Sequence, residues 1–90
     1  MSRLWFVYII ECSDGRFYTG VTDNVERRFQ RHKSGQGGRF TNRFGVQRLL
    51  YHEKFSVRAD ALKREAQLKG WTKRKKLALI HGDSALLKKL

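Results

Sequence analysis

The sequence predicts an α+β fold in which strands and helices follow one another in the order β-β-α-β-α-α-α. Three observations support this prediction: two strand-like segments joined by a turn at the N-terminus, a third near the middle, and capped helical segments around it. The chain has 90 residues, which is enough for one domain with one small core. We therefore expect a single domain over residues 1–90.

Two N-terminal segments have the composition of paired strands. Residues 4–11 and 16–22 are rich in aromatic and β-branched side chains, which favour strands. Ser13-Asp14-Gly15 lies between them and supplies the turn residues of a β-hairpin.

The length of the hairpin loop decides whether Tyr8 and Tyr18 share a face of the sheet. A two-residue turn would pair Glu11 with Tyr18 and place the two phenols on opposite faces. A three-residue loop with a bulge at the glycine would pair Ile10 with Tyr18 and place both phenols on one face. We predict the three-residue loop.

The residues after the second strand predict a helix with a capping box. Asp23 is followed three residues later by Glu26, a spacing that lets the two side chains satisfy free N–H groups at a helix start. The helix should cover residues 24–33 and end at Gly35.

Two pairs of side chains four residues apart lie on neighbouring stripes of this helix. Val25 and Phe29 should face the core, and Arg28 and His32 should line the adjacent stripe.

Tyrosine is unusual in acid–base chemistry, because a free phenol titrates near pKa ~10. A cation and an imidazole beside two phenols therefore indicate chemistry on an anion, and a phosphodiester is the obvious one.

Residues 34–45 contain four glycines, two arginines and no acid, which is typical of a long loop. Loops of this length are uncommon without a role, so an arm that grips phosphate is one interpretation. A plain connection is the other, and the two have equal weight. Arg39 and Arg43 are the residues to test.

The second half of the chain predicts a third strand followed by three helices. Polar capping residues and glycines mark where the helices begin and end. The expected elements are a strand at Val46–Phe55, a helix capped by Ser56 that runs to Lys69 and ends at Gly70, a helix capped by Thr72 that ends at His81 and Gly82, and a short helix at 83–90 started by Asp83 or Ser84.

The charge of the chain favours a polyanionic partner. Twenty Lys and Arg residues against eight Asp and Glu residues leave a formal net charge of +12 and a pI near 10.6, so nucleic acid is the expected partner. A membrane surface is the lesser candidate, because the basic residues do not form one face of an amphipathic helix. The 40% apolar and 12% aromatic content excludes a disordered basic tail.

The single cysteine, Cys12, favours a cytoplasmic location. It can form no internal disulfide and no C-x-x-C zinc pair, and we expect no disulfide-linked partner. The apolar run at residues 4–10 is far shorter than the ~20 residues that a membrane span needs, and it lacks a signal-peptide cleavage site. We expect a monomer without a membrane partner.

Cleavage of a phosphodiester would call for a divalent metal, which neutralises charge on the transition state. Mg²⁺ requires oxygen ligands, often only one or two carboxylates. Five of the eight acids have expected places in turns, caps or first helical turns, which leaves Glu11, Glu53 and Glu65. Glu11 and Glu53 are expected on strand surfaces opposite basic neighbours.

Glu65 lies on or beside the apolar stripe of its predicted helix, with Ala61, Leu62 and Leu68 at helical spacing. An unpaired carboxylate there would be costly, which marks Glu65 as a candidate ligand. An exposed or edge Glu65 that pairs with Lys69 one turn later is an alternative of equal weight.

Four cations, Lys73-Arg74-Lys75-Lys76, stand at the start of a predicted helix. This placement opposes the helix macrodipole, and it indicates either a phosphate partner or a solvated face, with equal weight. The expected nucleic-acid contacts are Arg16, Lys33, Arg39, Arg43, Lys73 and Arg74.

Together these residues resemble the GIY-YIG nuclease domain, and specifically its small single-domain bacterial members. The resemblance spans about residues 4–80, and it combines two tyrosines ten residues apart with a helical Arg, a His one turn later and a Glu on a later helix. The matching residues are Phe6-Val7-Tyr8, Tyr18-Thr19-Gly20, Arg28, His32 and Glu65. The resemblance implies a small three-stranded antiparallel sheet flanked by helices, with a metal-dependent phosphodiesterase site on the sheet face.

The resemblance also implies a role for each residue. Tyr8 and Tyr18 correspond to the signature tyrosines, Arg28 to the transition-state arginine, and His32 to the frequent helical histidine. Glu65 corresponds to the metal-binding glutamate, with one Mg²⁺ or Mn²⁺ ion as the expected cofactor. Without the resemblance, the tyrosines would be assigned to aromatic packing and His32 to the surface.

Three positions depart from the family pattern. Phe6 replaces the glycine of the first signature, Val21 stands where some members have a lysine, and no asparagine occurs around Leu77. Loss of these supporting residues points towards weak catalysis.

Three functions follow from these observations. The leading hypothesis is a metal-dependent endonuclease that acts on DNA more than on RNA, in repair or processing. The alternative is a nucleic-acid-binding module on the nuclease scaffold, which would show salt-sensitive binding without metal-dependent cleavage. A domain that binds acidic protein partners is the third.

Overall fold

The computed structural model describes residues 3–35 and 45–90, and within them it confirms the predicted class and order of elements. Their bounds are β1 (Trp5–Cys12), β2 (Phe17–Thr22), α1 (Val25–Lys33), β3 (Val46–Phe55), α2 (Arg58–Lys69), α3 (Lys73–Ile80) and α4 (Ser84–Lys89). The strands form one antiparallel sheet in the order β2-β1-β3, flanked by helices. Arg39 and Arg43 lie outside the described residues.

The hairpin between β1 and β2 has the predicted three-residue loop. The Cys12 N–H donates to the Arg16 carbonyl at 2.7 Å, and the Gly15 N–H donates to the Cys12 carbonyl at 2.9 Å. Gly15 has a φ of +89°, a left-handed conformation that glycine adopts without steric cost. Ile10 consequently pairs with Tyr18, and the two phenols share one face as predicted.

The hydrophobic core lies between the sheet and α2. Val7 and Ile9 of β1 are fully buried against Ala61 and Leu68 of α2. Neighbouring residues of a strand point to opposite faces, so Tyr8 lies on the other face of the sheet. Tyr18, opposite Ile10, shares that second face with Tyr8.

The helix α1 buries a different residue from the ones predicted. Val25 and Phe29, expected in the core, are only half-buried. His32 is 1% exposed and is the residue that α1 buries. The stripe of α1 that faces the sheet is therefore polar, because it packs on a tyrosine rather than on the aliphatic core.

The predicted capping box of α1 does not form. Asn24 is the N-cap, and its Oδ1 accepts a hydrogen bond from the Arg27 N–H at 2.9 Å. Asp23 instead pairs with the Arg27 guanidinium at 3.1 Å, and Glu26 accepts from the Gln30 side chain at 3.2 Å. The cap therefore moves one residue along the chain, and α1 starts at Val25 instead of residue 24.

The later helix starts are a mixture of confirmed and corrected predictions. Val57 rather than Ser56 occupies the N-cap of α2, without a side-chain capping bond. Thr72 caps α3 and Asp83 caps α4 through their side-chain oxygens, as predicted.

Across the described ranges, no helix combines the length and apolar character that crossing a membrane would take.

Candidate active site

Tyr8 lies across the neighbouring strand because its partner there has no side chain. Tyr8 pairs directly with Gly20 of β2, an edge strand. A Cβ atom at Gly20 would lie 2.5 Å from Tyr8 Oη and 2.6 Å from Cζ. The glycine therefore provides the space that the phenol ring occupies.

The Tyr8 hydroxyl contacts two side chains of α1. It lies 3.0 Å from His32 Nε2, and Arg28 Nε donates to it at 3.4 Å. Arg28 and His32 are four residues apart, so one helix face presents both groups to the phenol, as the spacing predicted. Tyr8 is 2% exposed, and the contact is therefore sheltered from water.

Tyr18 completes the cluster from β2. Its ring centroid lies 6.2 Å from that of Tyr8 and 5.0 Å from that of His32. The hydrogen bond to Tyr8 is the main cause that raises the pKa of Arg28, and a hydrogen bond to Tyr18 adds to it. The guanidinium thus contacts both phenols.

Burial sets the protonation states of the cluster. It raises the pKa of Tyr8 to about 12, although the hydrogen bond from Arg28 opposes the rise. The pKa of His32 is lowered to about 4, mainly by burial and also by the charges of Arg28 and Arg31. At neutral pH Tyr8 keeps its proton and His32 is neutral. In the tautomer with the proton on Nδ1, the hydroxyl donates to Nε2 while it accepts from Arg28.

Glu65 lies near this cluster on α2. Its negative charge is one of the causes that raise the pKa of Tyr8, and its side chain is 20% exposed. Lys69 Nζ lies 3.5 Å from Glu65 Oε2, so the pairing that the sequence left as an alternative is present as well. The carboxylate is thus paired, partly sheltered and near enough to Tyr8 for its charge to act on that phenol.

The other two acids left by elimination are engaged elsewhere. Glu11 accepts from Arg48 Nε at 2.7 Å across the β1–β3 pair, as expected for a strand-surface charge. Glu53 pairs with Arg64 of α2 at 3.0 Å and accepts from the Tyr51 hydroxyl. Glu65 therefore remains the candidate metal ligand.

The surroundings of Glu65 suit a hard cation such as Mg²⁺ that is held by few protein ligands. Within residues 3–35 and 45–90, no three His, Cys, Asp or Glu side chains are grouped so as to hold a metal ion. Mg²⁺ is often bound through one or two carboxylates, with waters and substrate phosphate as the other ligands. A single, partly exposed carboxylate whose charge acts on the Tyr8 phenol fits this pattern.

The predicted nucleic-acid contacts have different environments. Arg16 is exposed and pairs with Asp14 at 3.0 Å. Lys33 is exposed on α1, with its Nζ 5.8 Å from the centroid of the Phe29 ring. Arg74 is exposed at the start of α3.

Lys73 makes intramolecular contacts that the sequence did not indicate. Its Nζ donates to the Gly15 carbonyl at 2.6 Å and lies 4.7 Å from the centroid of the Phe17 ring. The first cation of the basic run thus attaches α3 to the hairpin. Its charge is already engaged, which makes it a weaker candidate for phosphate than Arg74.

The sequence-based predictions missed a cleft beside Arg28. It has a volume of about 270 Å³, and Trp5, Arg27 and Arg31 are among its walls. The spacing of Arg27 and Arg31, four residues apart on α1, was the available signal. Trp5 gave none, because an aromatic residue in a strand most often packs in a core.

Comparison with known families identifies the fold. The GIY-YIG catalytic domain matches residues 4–78. The chain belongs to the GIY-YIG catalytic domain family. This confirms the resemblance drawn from the signature residues, and GIY-YIG membership implies nuclease-like activity with a nucleic acid as substrate.

Small bacterial proteins share this GIY-YIG domain with the chain. A UPF0213 protein of Staphylococcus aureus strain Mu3 is 44% identical over 75 residues, which are 83% of this chain and 92% of that protein. The NMR structure of the UPF0213 protein BH0048 from Bacillus halodurans is 38% identical with a TM-score of 0.56, covering 87% of this chain and 83% of that one. The NMR structure of EF2693 from E. faecalis is 39% identical with a TM-score of 0.56, covering 84% and 82%.

Proposed function

We propose that this GIY-YIG protein is a metal-dependent endonuclease that hydrolyses nucleic-acid phosphodiesters, DNA in preference to RNA, in repair or processing. The observation that carries the proposal is the Arg28 guanidinium in contact with two phenols, with a neutral imidazole and a carboxylate close by. The net charge of +12 supports a polyanionic substrate.

Arg28 would bind the scissile phosphate. A guanidinium has several N–H donors in one plane, which suits two phosphoryl oxygens at once. Nε is directed to the Tyr8 hydroxyl, so the phenol orients the group while other N–H donors serve the substrate. Negative charge that develops on the phosphoryl oxygens during attack would be stabilised by this cation.

Tyr8 and Tyr18 would have different roles. Tyr8 is buried, with a pKa of about 12 and a hydroxyl held by His32 and Arg28, so it positions its neighbours and keeps its proton. Tyr18 is half-buried and contacts Arg28, and its phenol oxygen would act as the general base that takes a proton from the attacking water. The water oxygen then bonds to phosphorus, the phosphorus bond to the leaving oxygen breaks, and that oxygen takes a proton from solvent.

Glu65 would hold one divalent cation, Mg²⁺ or Mn²⁺. Such an ion, when bound, supplies charge neutralisation and polarises a phosphoryl oxygen. The contribution of the chain is a carboxylate that is only 20% exposed and lies on the stable framework of α2.

A nicking assay tests the proposal. Supercoiled and labelled linear DNA, with RNA of the same sequence, are incubated with Mg²⁺ or Mn²⁺, and excess EDTA serves as the metal-free reference. We expect cleavage that requires the metal and falls at least about 100-fold in Glu65→Gln and Tyr18→Phe, in the range that one catalytic group contributes.

Two matched variants control for the substitutions themselves. Tyr51→Phe removes a phenol hydroxyl bonded to Glu53, and Glu11→Gln removes a carboxylate paired with Arg48. Both should cleave at close to the wild-type rate. Full activity in both Glu65→Ala and Tyr18→Phe would refute the scheme, and salt-sensitive binding without any metal-dependent cleavage would identify a binding module instead.

A further inference from the structure

The cleft beside Arg28 has the walls of a nucleotide subsite. Arg27, Arg28 and Arg31 line it together with Trp5 and Asp23. Three guanidinium groups against one carboxylate leave the cleft positively charged. Because Arg28 also contacts the Tyr8 hydroxyl, the cleft is continuous with the proposed catalytic cluster.

The charges in the cleft are unequally available. Arg27 Nη2 lies 3.1 Å from Asp23 Oδ1, and Arg3 Nε lies 3.5 Å from the other oxygen of Asp23. Asp23 therefore neutralises part of the charge of Arg27. Arg31, one turn later, is exposed and is the stronger candidate for an incoming phosphate.

Trp5 supplies a flat apolar wall. Arg58 Cζ lies 5.3 Å and Arg3 Cζ 5.9 Å from the centroid of its ring, so planar cationic groups already lie over the indole. The Arg3 side chain is 67% exposed, and a planar ligand can take its place. An aromatic ring among arginines is the arrangement that binds unpaired bases by stacking.

We propose that this cleft binds one unpaired nucleotide next to the scissile phosphodiester, with its base on Trp5 and its phosphate at Arg31. The inference rests on the proposed nuclease function and adds a substrate class to it: strands that are single or locally unpaired at the cleavage site. The volume of about 270 Å³ is below the range of about 300–1,000 Å³ for pockets of drug-sized ligands. One nucleotide is therefore the largest unit that it holds.

Fluorescence provides a direct test of stacking. The chain has two tryptophans, Trp5 and Trp71, so Trp71→Phe leaves Trp5 as the only indole. In a Glu65→Gln background with EDTA, which prevents cleavage, a short single-stranded oligodeoxynucleotide should quench this fluorescence. A blunt duplex of the same sequence should quench it much less.

Affinity measurements do not depend on the Trp71 substitution. By fluorescence anisotropy with a labelled single strand, Trp5→Leu should bind about tenfold more weakly, and Trp5→Phe should retain most of the affinity because it keeps an aromatic face. Circular dichroism melting of each variant separates a binding defect from unfolding.

Arg31 is tested through salt dependence. Arg31→Gln should lower the slope of log affinity against log salt by about 0.7, as expected for one lost phosphate contact on a single strand. Lys88→Gln, which removes one exposed charge from α4, is the matched control. A Lys88 variant with the same drop in slope would overturn the assignment of Arg31.

The outcomes separate this inference from the nuclease proposal. Trp5-dependent binding of single strands without any cleavage would support the subsite and overturn the enzyme. Metal-dependent cleavage with no quenching, and with equal affinity in Trp5→Leu, would overturn the subsite and leave the enzyme. Equal quenching by the blunt duplex would also overturn the subsite.

Discussion

Substitution of Gly20 by alanine tests the placement of Tyr8. The added Cβ would lie 2.5 Å from Tyr8 Oη, 2.6 Å from Cζ and 3.0 Å from Cε1, far inside ordinary contact. Tyr8 is 2% exposed, so its ring cannot simply swing into water. Overpacking of this kind costs about 1–3 kcal/mol, and loss of the bond to buried His32 adds about 1–3 kcal/mol.

Thermal unfolding by circular dichroism measures the effect. The two costs sum to at least about 2 kcal/mol. For a domain of this size each kcal/mol corresponds to about 4–8 °C in Tm, so Gly20→Ala should melt at least about 8 °C lower. Gly70→Ala is the matched control, because its φ is −81° and its nearest atom would be Gln67 O at 3.5 Å. It should shift Tm by only a few degrees.

A double substitution isolates the clash. In Gly20→Ala with Tyr8→Leu, the steric conflict is removed, so the two changes should cost less together than the sum of the single costs, by about 1 kcal/mol or more. A Gly20→Ala protein that melts with the wild type and cleaves at its rate would refute the argument that the glycine makes room for the phenol.

Three further predictions concern buried and clamped groups. Unfolded His32 binds a proton near pH 6.5 and the folded form only near pH 4, so the free energy of unfolding is full above pH 6.5 and falls by up to about 3 kcal/mol towards pH 4. Urea titrations should show a flatter pH profile in His32→Gln, and an unchanged profile would contradict the assignment. The Thr19 hydroxyl is buried without a hydrogen-bond partner among the described residues, so Thr19→Val should raise the free energy of unfolding by about 1 kcal/mol. A lower urea midpoint in Thr19→Val would contradict this prediction. Lys73→Ala should lose about 1 kcal/mol with its contacts to the hairpin, whereas Arg74→Ala should melt with the wild type; equal Tm losses would rule out a specific clamp.

The strands and the hairpin register could be predicted because they depend on local signals. Gly15 marked the loop, and the pairing of Ile10 with Tyr18 followed from a three-residue turn. That register also places Tyr8 opposite Gly20, where the missing side chain leaves room for the phenol ring. The contact of Tyr8 with α1 could therefore have been predicted from the sequence. Family signatures then supplied the residue set for the candidate site.

The start of α1 could not be predicted because tertiary contacts decide between adjacent capping residues. Thr22 Oγ1 accepts from the Asn24 N–H at 3.2 Å, and Asp23 is drawn to Arg3 and Arg27. These contacts leave Asn24 as the cap. A capping-box pattern reports that a helix starts nearby, but it does not distinguish one polar residue from the next.

The cleft at Trp5 was missed for a similar reason. Its walls come from the first strand and from a helix that starts more than ten residues later, and only the connection after β2 brings them together. Arg27 and Arg31 look like ordinary solvated cations in the sequence. Only the structure shows that they line one cleft together with Trp5.

The bond from Lys73 to the Gly15 carbonyl joins residues 58 positions apart. Both phenols, the guanidinium and the imidazole lie within the first 33 residues, yet the turn between the two tyrosine strands is held by a side chain from the last quarter of the chain. Removal of the C-terminal segment from Lys73 onwards would therefore loosen the hairpin that carries Tyr8 and Tyr18, although every residue of the proposed catalytic cluster would still be present.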